Sequence, residues 1–145
     1  MIELNKAALT NELINLCDQC NYAQGISDKS FHKYYCETDP KKVMEYEHEY
    51  EQNYDIYEMW YAKITAIKQL FKRVFDINIV LNTDCYGYIT MLTIEIFNNE
   101  FDVIKCPINI PLWITQFHNS LRTQTIEKYF NHEIRINDEI TNGGY

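Results

Sequence analysis

Glycine and proline are scarce in this chain, with four glycines and three prolines among 145 residues. That leaves no room for a Gly-rich phosphate loop, a Pro-rich linker or a low-complexity tail. It favours regular elements joined by short turns. Long apolar runs are missing too. Nothing approaches the ~20 residues that cross a bilayer. The amino terminus, MIELNKAALTNELINL, carries Glu3 and Glu12 and lacks an unbroken apolar stretch. Neither a signal peptide nor a membrane contact is therefore expected.

Positive charge is the third shortage. Thirteen Lys and Arg face 21 Asp and Glu, giving a formal charge of −8 and a pI near 4.9. A generic phosphate-backbone binder needs the opposite balance, so direct nucleic-acid binding is not expected. A partner with a Lys/Arg-rich surface is. Catalytic signatures are also missing: the chain has no nucleophile elbow, no phosphate loop and no His-Glu metal motif. No enzyme activity and no cofactor are expected. Five cysteines, an odd number, fit reduced thiols in a cytoplasm. Asn, Ile, Tyr and Lys are plentiful, which points to an AT-rich genome such as that of a low-GC bacterium or its phage. For a phage protein the location would be the host-cell cytoplasm.

What is there suffices for a core. The hydrophobic share is 46% and the aromatic share 14%, which argues against intrinsic disorder and for a single domain over residues 1–145. The expected fold class is α+β: N-terminal helices including one long helix, a three-stranded antiparallel β-meander and a C-terminal helix. Residues 1–76 form the helical part. Leu9, Leu13, Ile14, Cys17 and Cys20 set a helix over 6–23 that Gly25 ends. Ser27 or Asp28 caps a short second helix to Cys36. Asp39-Pro40 then reads as an N-cap with proline at the first helical position. A stripe from Val43 to Val74 predicts a helix of about 36 residues.

The period changes to two at Ile77, Ile79 and Leu81, opening a meander over 77–108. A turn-rich stretch spans 82–87, and a two-residue turn at Asn98-Asn99 joins strands 88–97 and 101–108. That turn sets Ile96 opposite Phe101 and Ile94 opposite Val103, with Glu95 opposite Asp102. The last helix is expected over 109–134, with Pro111 in its first turn, followed by a fraying tail over 135–145.

One segment stands apart. Residues 45–61, EYEHEYEQNYDIYEMWY, hold six carboxylates, no lysine or arginine, and an aromatic residue every few places. Glu45 and Glu49, Glu47 and Glu51, and Glu51 and Asp55 are like-charged i,i+4 neighbours, each pair costing roughly 0.2–0.5 kcal/mol. One account is a solvated face opposite a tyrosine-lined core. The other is a contact surface for a basic partner. In that account Glu45, Glu47, Glu49, Glu51, Asp55 and Glu58 supply charge, and Tyr50, Tyr54 and Trp60 are anchors if they are not buried.

Two weaker constellations compete. Cys17, Cys20, His32 and Cys36 have the spacing C-x2-C-x11-H-x3-C, close to a structural zinc site. Cys17 and Cys20 also lie on an apolar helical stripe, where free cysteine is a small hydrophobe. Cys85, in a turn after a strand, could be a nucleophile if a histidine such as His118 or His132 came near.

The expectation is a non-enzymatic acidic binding protein, an inhibitor that occludes a basic, nucleic-acid-binding surface of a target enzyme by nucleic-acid mimicry. Phage anti-CRISPR and other anti-defence proteins work in this manner. The alternatives are an antitoxin or toxin-immunity protein, a homo-oligomeric structural or assembly protein, and a small zinc-binding domain. Monomer and homodimer are both compatible with the sequence.

Overall fold

A computed structural model describes residues 6–97 and 101–142. The element order is α1 (Lys6–Cys36), α2 (Pro40–Phe75), β1 (Ile77–Thr83), β2 (Ile89–Phe97), β3 (Phe101–Pro107) and α3 (Leu112–Asn142). This is the α+β arrangement of long amino-terminal helices, an antiparallel sheet ordered β1-β2-β3 and a carboxy-terminal helix. The chain divides into two compact units, Met1–Ile110 and Pro111–Tyr145.

The first unit is a helical hairpin against a meander. α1 and α2 pack on each other, α2 lies against β1, and α1 lies against β2. The two helices expected before residue 37 are one. Gly25 is buried inside α1 and does not end it. An interior glycine costs about 1 kcal/mol, and here the surrounding packing offsets it. Ser27 and Asp28 both lie inside α1, so neither caps a second helix, and Ser27 and Ser30 are buried. The Ser30 hydroxyl donates to the Ile26 carbonyl at 3.0 Å and accepts from Asn53 Nδ2 of α2 at 2.6 Å, a polar tie between the helices.

α2 starts as the sequence implies. Asp39 is its N-cap, accepting from the Lys41 N–H, and Pro40 follows. Glu37 Oε1 accepts from the N–H groups of Thr38 and Asp39, closing the connection between the helices. After 36 residues Asp76 ends α2 in the left-handed region, φ 51°, with its N–H on the Phe71 carbonyl.

In β1, Ile77 and Ile79 are buried while Val80 is exposed, the alternation expected. An irregularity between Asn82 and Thr83 shifts the pairing so that Thr83 meets Ile89. The shift brings Ile89, not Thr90, into the core with Leu92 and Ile94.

The β2–β3 register departs from expectation by one residue. Phe97 pairs with Phe101, Ile94 with Ile104 and Leu92 with Cys106. Glu95 is opposite Val103 and not Asp102, so the carboxylate pair that would repel across the strands does not form. The turn proposed at Asn98-Asn99 lies outside the described residues, and the register leaves three residues between the strands instead of two. Beyond β3 the Ile108 N–H donates to the Thr90 carbonyl.

The second unit is α3. The Pro111 carbonyl accepts from the Ile114 N–H at 3.0 Å, so proline precedes the helix by one residue. α3 runs to Asn142, eight residues past the expected end at 134 and into the stretch expected to fray.

Candidate functional site

α2 distributes its side chains by angle. At ~100° per residue, Tyr50, Tyr54, Tyr57 and Tyr61 fall in an arc of about 60°, on the edge of the face that packs on α1 and β1. Their rings make a continuous row: 6.0 Å from Tyr50 to Tyr54, 5.9 Å to Tyr57 and 6.3 Å to Tyr61. α1 extends it, with Phe31 at 5.2 Å and Tyr34 at 6.4 Å from Tyr50. Such offset and tilted pairs stabilise beyond their buried area, which accounts for tyrosine where leucine would pack a core as well.

Beside this row, Glu47, Glu51, Asp55 and Glu58 fall in an adjoining arc of about 80°, and all four are exposed. Glu45 and Glu49 are exposed too, but lie roughly 140° round the helix from the centre of that stripe. The six acids are thus two groups. Glu49 is engaged within the chain, 3.2 Å from Lys33 Nζ. The same ammonium sits 4.1 Å over the Tyr46 ring. Among the described residues, none of the four stripe carboxylates has a lysine or arginine partner.

The expected anchors differ in environment. Tyr54 is 40% exposed. Its hydroxyl donates to Glu58, and that bond, more than any other influence, pushes the phenol pKa up. Tyr50 is half-buried within the aromatic row. Trp60 is half-buried against the core, with Lys63 Nζ 4.6 Å over its ring. Tyr61, 47% exposed, is as accessible as Tyr54. It belongs to the α2 stripe in the sequence, where nothing distinguishes it from its buried neighbours. Tyr57 is half-buried against the core, and desolvation pushes its pKa to about 12. Tyr54, Tyr57, Glu58, Tyr61 and Ala62 line a shallow groove of about 440 Å³.

The residues with zinc-site spacing do not converge. Cys17 and Cys20 are core residues, and burial pushes their thiols up to about 12 and about 11. His32 and Cys36 contact each other at 3.6 Å, but His32 lies fifteen residues from Cys17 on the same helix, about 22 Å along its axis. One zinc ion cannot reach both pairs. Among the described residues no three His, Cys, Asp or Glu side chains form a metal-holding group.

Cys85 is exposed in the turn after β1. The turn is ordered by Asp84, whose Oδ1 accepts from the N–H groups of Tyr86 and Tyr88. Gly87, at φ 86°, supplies the left-handed residue. His118 lies on α3 of the second unit, and the side chain of His132 lies outside the described residues. Among the described residues no helix is long and apolar enough to cross a membrane.

Compared with family models, curated proteins and solved structures, the chain has no match.

Proposed function

We propose that this protein is a non-enzymatic acidic binder that occludes a basic, nucleic-acid-binding surface on a target enzyme. One observation carries the reading: Glu47, Glu51, Asp55 and Glu58 form an exposed anionic line that, among the described residues, no cation of the chain neutralises. Folding gains nothing from that arrangement, since crowded like charges weaken a helix. Binding does gain. The four carboxylates rise about 6, 6 and 4.5 Å from one to the next, against ~3.4 Å for successive phosphates of a duplex strand. The line is about three-fifths as dense in charge as a single strand of the duplex it would replace. Association would be electrostatically steered and would slow as salt rises. A phage-encoded inhibitor of a defence nuclease, such as an anti-CRISPR, fits this mechanism. An antitoxin or immunity protein would use the same face against a different enzyme.

The test is affinity capture from cell lysate with the parent and with a Glu47→Lys, Glu51→Lys variant. The parent should retain a nucleic-acid-binding protein that competing duplex DNA displaces, and the variant should lose it. Equal retention by the variant removes the acidic line from the contact.

A second reading has one observation of its own. Tyr22, Ile56 and Met59 are each close to half exposed along one side of the helical hairpin, and Tyr22, Ile26, Ile56 and Trp60 line a groove there. A protein that pairs with its own copy would use that side. Sedimentation at two salt concentrations separates the cases, because an apolar homodimer persists in high salt and a steered heteromeric contact weakens.

A further inference from the structure

The groove beside the acidic line differs from the rest of α2 in being walled by aromatic rings and closed by a carboxylate. Tyr54 and Tyr61 are about half exposed and Tyr57 forms the floor. Glu58 stands beside the Tyr54 hydroxyl on the next turn of the helix, at the edge of the groove. The same helix already holds one cation by such a pairing: Lys33 Nζ sits over Tyr46 and against Glu49. Two to three turns further on the pairing recurs, and among the described residues no lysine or arginine of the chain occupies it.

We propose that this groove takes an arginine side chain from a basic segment of the partner protein. The guanidinium would stack on Tyr54 or Tyr61 and direct its N–H fork at Glu58. This rests on the reading of α2 as the contact face and adds a residue preference to it. Charge complementarity selects a cation, and the aromatic walls select which one. A guanidinium is planar, weakly hydrated and able to stack while bonding a carboxylate in bidentate fashion. A lysine ammonium is compact and strongly hydrated, so it gives up more to enter.

Fluorescence anisotropy with labelled nona-arginine and nona-lysine peptides at low salt tests the assignment on the full chain. Nona-arginine should bind roughly two- to fivefold tighter than nona-lysine, the range of one exposed cation–π contact. A Tyr54→Leu, Tyr61→Leu variant should weaken nona-arginine more than nona-lysine and so lose the arginine preference. Glu58→Gln should weaken both peptides and narrow the gap between them. Circular dichroism checks that each variant is folded. Equal affinity for the two peptides, or a preference that survives both variants, overturns the arginine assignment while leaving the acidic contact face standing. No binding of either peptide, or binding indifferent to Glu47→Lys with Glu51→Lys, overturns both.

Discussion

Asn21, fully buried in α1, grips the backbone of Ile89 at both ends: its Nδ2 donates to the Ile89 carbonyl and its Oδ1 accepts the Ile89 N–H, each at 2.8 Å. The pair does for the start of β2 what a neighbouring strand would do. It also holds Ile89 in the core at the point where the β1–β2 pairing is irregular. Close by, the Tyr88 hydroxyl donates to Asp28 Oδ2 at 2.6 Å. α1 is thus joined to the sheet by directional bonds as well as by apolar packing.

Replacing Asn21 by leucine keeps the branched outline, though in a bulkier form, and strands two buried backbone groups. Leaving buried donors and acceptors unmade costs about 1–3 kcal/mol each, so Asn21→Leu should lose about 2–6 kcal/mol of unfolding free energy. Urea denaturation reads this directly. A loss below about 1 kcal/mol means water reaches Ile89 once the side chain is gone, and the grip is not what orders β2.

Alkaline pH should weaken the fold early. Cys17 and Cys20 ionise at about 12 and about 11 when folded, against an ordinary thiol value of 9.0. Burial is the main cause for both, and the neighbouring Cys20 and Asp18 add to it for Cys17. Because the folded values are raised, the stabilisation is fully present below pH 9 and is lost as pH climbs through the folded values. Tyr57, at about 12, moves in the same direction. Going from about pH 8 to about pH 10.5 should cost on the order of 2 kcal/mol per buried thiol. The urea midpoint at the two pH values measures it, and Cys20→Ala should flatten the dependence.

Chelation should leave the melting temperature unchanged, because Cys17 and Cys20 sit in the core about 22 Å along α1 from His32 and Cys36. A drop in Tm on adding EDTA that zinc restores would show that the pairs meet in another arrangement, since a structural zinc contributes folding free energy outright.

What could be read in advance was whatever local chemistry decides. Asp39-Pro40 starts α2 because an N-cap acceptor followed by proline acts on its own turn. Ile77 and Ile79 alternate because a half-buried strand must. Gly25 was misleading because its place inside α1 depends on α2 and the sheet, not on its neighbours in sequence. The register of β3 turned on whether two or three residues separate it from β2, and two adjacent asparagines do not decide that. The end of α3 carried no stop signal at 134, since no glycine or proline follows Pro111 until Gly143. In the site, the six carboxylates and the helical spacing that separates four of them from Glu45 and Glu49 were plain in the sequence, but the engagement of Glu49 was not. Lys33, which makes the difference, comes from another helix sixteen residues upstream.

Glu51→Lys should make the protein firmer and a worse binder. Glu51 faces like charges at i−4 and i+4, Glu47 and Asp55, so a lysine there turns two repulsions into two attractions. At roughly 0.2–0.5 kcal/mol for each interaction of either sign, the two repulsions lost and two attractions gained should add up to about 0.8–2 kcal/mol at low salt. Because the position is exposed, screening lowers the gain as salt rises. Urea denaturation in low and high salt measures the gain and its screening. Anisotropy with nona-lysine should show weaker binding by the same variant. A variant both firmer and weaker in binding is the mark of a surface kept for contact at the expense of stability. If Glu51→Lys instead lowers stability, the carboxylate has a structural partner and the line is part of the fold.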